Sequence, residues 1–169
     1  MIIPGIKEDI ARRAASRRGA EKRDSAASAA ALARAAAAMK KGNYKTARSE
    51  YEAAYKADVL SYPAALGLAR AWEKTDATNA GRQRTLDWYK EACSLKPGAI
   101  STFLAAGELA AKMGQHATAA ELYSRAVAAN PSDISAIDGL IRALRRTGSG
   151  KVADAYQSYR ELVTVRKAK

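Results

Sequence analysis

Apolar and small residues along the middle of the chain return at intervals of three and four, the spacing of one helical face. From Ser101 to Met113 they predict a helix that Gly114 can end in the left-handed conformation, turning the chain back within a few residues. Tyr123 and Val127 lie on one face of the helix that follows, and Asn130-Pro131 closes it, because the residue before a proline avoids the helical region. Small residues at Ala106, Gly107 and Ala119 let the two helices approach closely where they cross. The predicted unit is an antiparallel helical hairpin. It cannot cover its own apolar face and needs neighbours of its kind.

Such neighbours can be read on both sides. Upstream, Ala29 to Met39 predicts a helix packed through alanine with Asp24 or Ser25 as N-cap. Gly42-Asn43-Tyr44 makes its turn, and Ala47, Tyr51 and Ala54 mark the return helix. Val59 stands where the 100–133 hairpin has its proline, which predicts a less abrupt exit. Next, Leu68, Ala69 and Trp72 mark a first helix and Tyr89, Ala92, Cys93 and Pro97 a second; Thr75 to Arg84, rich in Thr, Asp, Asn and Gly, is expected to be a long polar loop. Downstream, Ile137, Leu140 and Leu144 stripe one helix and Gly148-Ser149-Gly150 turns. Ala155, Tyr159 and Leu162 are expected on the last helix, two residues later than in the other hairpins.

Pro97 and Pro131 lie 34 residues apart. With large residues, a Gly or Ala and a closing Pro at fixed offsets, the pattern resembles the tetratricopeptide repeat. The resemblance implies an all-α fold, a right-handed α-solenoid of antiparallel helix hairpins over residues 28–169. Its repeats would be 28–61, 62–99, 100–133 and 134–169, with residues 1–27 as a basic N-terminal arm.

Composition adds exclusions. No uninterrupted apolar run approaches the roughly 18 residues of a membrane span, since Arg34 breaks the alanine-rich segment, and Ile2-Ile3-Pro4-Gly5 is too short for the apolar core of a leader. A soluble chain is expected. Cys93, alone, cannot form an internal disulfide and suits a reducing compartment, cytoplasmic or organellar. The arm has the Arg, Ala and Ser content of a mitochondrial presequence, but Glu8, Asp9, Glu21 and Asp24 argue against one.

The net charge of +12 favours acidic partners, and it gathers towards the ends. Residues 134–169 carry eight basic and three acidic side chains. In the arm, Arg12, Arg13, Arg17 and Arg18 fall all around a helix and make no membrane-binding stripe, while Ile3, Ile6 and Ile10 share a face that could dock a short segment. Chemistry is thinly represented. His116, the one histidine, sits at a loop-to-helix position and reads as packing. There is no phosphate-cradling glycine loop, no paired-cysteine metal spacing and no nucleophile motif, so no enzyme, cofactor or metal site is expected.

Binding remains. In proteins with this repeat the first helices line a groove for the partner. Carried over, the ligand-facing positions include Leu32 in the first repeat, Leu66 and Arg70 in the second, Leu104, Glu108 and Lys112 in the third, and Asp138, Arg142, Arg145 and Arg146 in the fourth. The leucines could seat an apolar segment or pack between repeats. The three arginines could take carboxylates or phosphates bidentately, or form a solvated face in which Asp138 pairs with Arg142. Leu32 and Ala36 stand where chaperone-binding members carry Lys and Asn, so that carboxylate clamp is missing. The expected function is a non-enzymatic scaffold or adaptor for protein partners with acidic or mixed apolar and acidic segments, a small subunit of a larger assembly. The alternative is a peripheral subunit of an RNA–protein particle using the arm and the basic C-terminal repeat. Against it, the repeats lack the interleaved aromatic and basic residues of base-stacking surfaces.

Overall fold

The structure, a computed structural model, describes residues 24–167; the arm, with Arg12, Arg13, Arg17 and Arg18, lies outside the described residues. Eight α-helices and no strand are found among them: α1 Ser25–Lys40, α2 Tyr44–Ala57, α3 Tyr62–Thr75, α4 Asn79–Leu95, α5 Ile100–Lys112, α6 His116–Ala129, α7 Ile134–Arg146 and α8 Gly150–Lys167. They fall into two compact units, one ending at Thr75 and the other beginning at Asp76. In the first unit α1 pairs with α2, and α3 packs on α2 while also touching α1. In the second, each helix from α4 to α7 packs on its successor, and α5 also touches α7.

Glycine decides the tight turns. Gly42, Gly114 and Gly148 hold φ of +73°, +75° and +77°, conformations that a Cβ disfavours. Each is followed by a residue whose N–H reaches back to cap the preceding helix: Asn43 to the Ala38 carbonyl at 2.9 Å, Gln115 to Ala110 at 2.9 Å and Ser149 to Leu144 at 2.9 Å. At the front of α1 the cap is Asp24, whose carboxylate accepts from the Ala27 N–H at 2.8 Å.

The exit from α2 is as sharp as that from α6, contrary to the expectation from Val59. Asp58 and Asn130 end the two helices with the same extended backbone, φ −143° in both. The Asp58 side chain accepts from the Leu60 N–H at 3.1 Å, as the Asn130 side chain does from Ser132 at 3.0 Å. An Asx turn stops both helices, so the proline is dispensable there.

Two further expectations are corrected. The long loop over 75–84 does not form: only 76–78 connect α3 to α4, and residues 79–84 lengthen α4 to 17 residues. Thr78 makes this possible as N-cap, accepting from the Gly81 N–H at 3.1 Å, while the Asp76 carboxylate accepts from the Thr78 N–H at 2.9 Å. Polar composition signalled a loop, but the same residues form a capped helix start. In the last hairpin no two-residue shift exists. Ala153 is the fully buried small residue of α8, whereas Ala155 and Leu162 are exposed. Gly148 turns the chain at the same offset as Gly42 and Gly114, so Gln157 takes the place that Tyr51 and Tyr123 hold in α2 and α6. Tyr159 instead donates its hydroxyl to the Pro131 carbonyl at 3.0 Å.

Alanine supplies much of the core. Ser28, Ala31, Ala35 and Ala38 form the buried stripe of α1, and the Ser28 hydroxyl donates to the Ala54 carbonyl at 3.0 Å. Leu68 and Leu86 are among the largest wholly buried side chains. Among the described residues every buried side-chain polar atom has a hydrogen-bond partner, as close packing without water requires.

Candidate functional site

One three-residue arrangement occurs in both units. Tyr51 of α2 lays its ring against Gly67 of α3, and Tyr123 of α6 lays its ring against Gly139 of α7, where a Cβ on either glycine would collide with the ring. The same Tyr123 ring also faces Gly107 of α5, whose Cβ would stand 3.0 Å away. One turn beyond Gly67 and Gly139 on the same helices come Arg70 and Arg142. Burial pushes the phenol of Tyr51 up from its usual pKa, with Arg70 acting in the opposite direction. Tyr123 is likewise pushed up by burial first, while the neighbouring Arg142 lowers it and the charge of Glu108 raises it. The tyrosines therefore remain protonated at neutral pH, with their hydroxyl ends among charged residues of the first helices.

The structure thus gathers part of the sequence-derived set around two tyrosines. Arg70 is exposed beside Tyr51, and Glu108, Lys112 and Arg142 are exposed around Tyr123. Glu108 and Lys112 pair with each other across one helical turn at 2.8 Å, both well exposed, an arrangement that contributes little to stability. Asp138 does not pair with Arg142. It accepts from Arg160 of α8, in an ion pair that ties α7 to α8. Arg145 approaches Asp154 at 3.9 Å, and Arg146 is exposed with no ion pair among the described residues.

Leu32, Leu66 and Leu104 are all half-buried, and Leu32 lies against the buried cluster of Ala31, Ala54 and Ala64. Sequence reasoning missed the tyrosines as members of the candidate site, although the spacing Tyr51, Gly67, Arg70 recurs unchanged as Tyr123, Gly139, Arg142. It also missed Arg48, which stacks 4.1 Å from the centre of the Trp72 ring and donates to the Thr75 hydroxyl at 3.4 Å.

Nothing among the described residues forms a cluster of three or more His, Cys, Asp and Glu able to hold a metal, and no helix there is long and apolar enough to cross a membrane. His116 opens α6, half-buried. Cys93 is buried in α4, and burial pushes its thiol up to about 12. Below that pH it stays protonated, so at pH 8 it is expected to react with iodoacetamide at least tenfold more slowly than the same chain in denaturant, followed by mass spectrometry. A rate equal to that of the unfolded chain would place the thiol outside the core.

No model of a protein family matches the chain, and no curated protein sequence matches it. Solved structures do. The crystal structure of MamA superposes with a TM-score of 0.68 at 20% identity, covering 99% of this chain and 98% of that one. The first TPR of Spaghetti (RPAP3), bound to the HSP90 peptide SRMEEVD, gives 0.62 at 16% identity over 75% of this chain and 98% of that one. The OM64 TPR domain of Arabidopsis gives 0.58 at 18% identity, with 70% and 95% covered. The chain has the tetratricopeptide-repeat fold of stacked helical hairpins.

Proposed function

We propose that this chain, with its tetratricopeptide-repeat fold, is a non-enzymatic scaffold that captures acidic segments of partner proteins on its first helices, within a larger assembly. The observation that carries the reading is the exposed set of guanidiniums on those helices: Arg70 on α3, and Arg142, Arg145 and Arg146 on α7. A guanidinium offers donors in a fork that matches a carboxylate. The RPAP3 domain provides a parallel, since the peptide bound to it has acidic residues near its end. Here the charge would be met by arginines of α3 and α7, because Leu32 and Ala36 cannot supply a cation. A partner in a reducing compartment fits the buried, unpaired Cys93.

Exchanging Arg142 and Arg146 for Glu together is expected to weaken capture of a glutamate-rich peptide by at least tenfold, with the far-ultraviolet circular dichroism unchanged. The measurement is fluorescence anisotropy on the full chain. Unaltered affinity in a folded variant would remove these residues from the binding surface. A salt series separates this reading from RNA binding, for which affinity falls by about 0.7 to 0.9 decades per decade of salt for each phosphate contact.

A further inference from the structure

We infer that the open face of α1 is a docking surface for the chain's own N-terminal segment, which lays Ile3, Ile6 and Ile10 on the stripe Ala30, Ala33 and Ala37. All three alanines are exposed. With the buried pairs Ala31 and Ala35, Ala65 and Ala69, and Ile137 and Ile141 in register, the matching residues are Ala64, Gly67 and Ala71 in α3 and Ala136, Gly139 and Ala143 in α7. These are as small as the alanines of α1, yet every one of them is buried. The helix that comes before covers them: Gly67 meets the Tyr51 ring and Ala64 clusters with Ala54 of α2, while Gly139 meets the Tyr123 ring of α6. The same surface therefore receives a helix in both units, and α1 presents it with no described element ahead of it.

Sequence and tether together select the occupant. Ile3, Ile6 and Ile10 follow the spacing of three then four that separates Ala30, Ala33 and Ala37, so large side chains recur at the interval of the small ones they cover. Residues 11–23 join the isoleucines to the α1 cap at Asp24. Extended, that tether reaches roughly 40 Å, against about 24 Å for the length of α1, so the whole stripe lies within its range. A segment tethered in this way meets the stripe at an effective concentration on the order of millimolar. Arg34 separates this occupant from a second copy. It stands where α3 and α7 have Leu68 and Leu140, which are 0% and 2% exposed, and its Nε donates to Glu50 of α2 at 2.8 Å. A second copy stacked on α1 as α2 stacks on α3 would bury that charge, at a cost that a short segment lying on three alanines avoids.

Disulfide trapping in the full chain tests this. Ile6→Cys with Ala33→Cys joins the middle members of the two triplets, and Ile6→Cys with Ala53→Cys, an exposed position of α2, offers the same tether a partner off the stripe. Cys93 is buried and stays out of the reaction. Under mild oxidation the first pair is expected to close within one chain at least tenfold faster than the second, followed by non-reducing electrophoresis and mass spectrometry. Adding Ile10→Asp is expected to bring the first pair down to the rate of the second, with the circular dichroism unchanged because the altered positions of the described helices are exposed. Equal rates for the two pairs overturn the inference, and so does a first pair indifferent to Ile10→Asp. Disulfides formed between chains, increasing with protein concentration, assign the stripe to a second copy and overturn it as well.

Discussion

Replacing Tyr123 by alanine is expected to destabilise the second unit by about 3 to 5 kcal/mol, the range for removing a buried aromatic side chain. The ring is 5% exposed and is enclosed by helices on two sides, with Gly107 of α5 and Gly139 of α7 both against it. Its loss opens a space that neither glycine can fill. For a chain of this size a change of 1 kcal/mol moves Tm by roughly 2 to 4 °C, so the variant should melt on the order of 10 °C lower. Thermal denaturation followed by circular dichroism measures this, and a fall of under 2 °C would mean that Tyr123 is not the packing centre of its unit.

The second large effect comes from the opposite side of the same contact. Gly139→Leu is expected to destabilise by about 2 kcal/mol. Two terms oppose each other here. Leucine gains nearly 1 kcal/mol over glycine in intrinsic helix propensity, whereas overpacking typically takes away 1 to 3 kcal/mol and sometimes more. Overpacking wins because a first added carbon already collides with the Tyr123 ring. Gly107→Leu, starting from a separation of 3.0 Å, is expected to be milder. Combining Gly139→Leu with Tyr123→Ala gives the leucine room, so the double variant should lose less than the two single losses added together, by at least 1 kcal/mol. Strict additivity in urea denaturation would show that the two residues do not share this space.

The candidate site was partly legible. Arg70, Glu108, Lys112 and Arg142 are first-helix positions that the resemblance carries over, and their charges act on the phenols of Tyr51 and Tyr123. Sequence alone reads the tyrosines as packing residues, since an aromatic at a core position gives no sign of where its hydroxyl emerges. Asp138 was placed next to Arg142 because helical periodicity offers the i,i+4 neighbour first; Arg160 approaches from another helix, which periodicity cannot see.

By itself the sequence determined the helices and their tight turns. The 3.6-residue period of small and apolar side chains marks each buried face, and at Gly42, Gly114 and Gly148 positive φ is readily adopted only by a residue without Cβ. Only the tertiary structure decided that residues 79–84 become helix, that Ala153 and not Ala155 enters the core, and that a tyrosine ring meets a glycine of the following helix twice. Local signals report which face of a helix is apolar. Which neighbour that face meets, and at what depth, is set by close packing between residues distant in the chain.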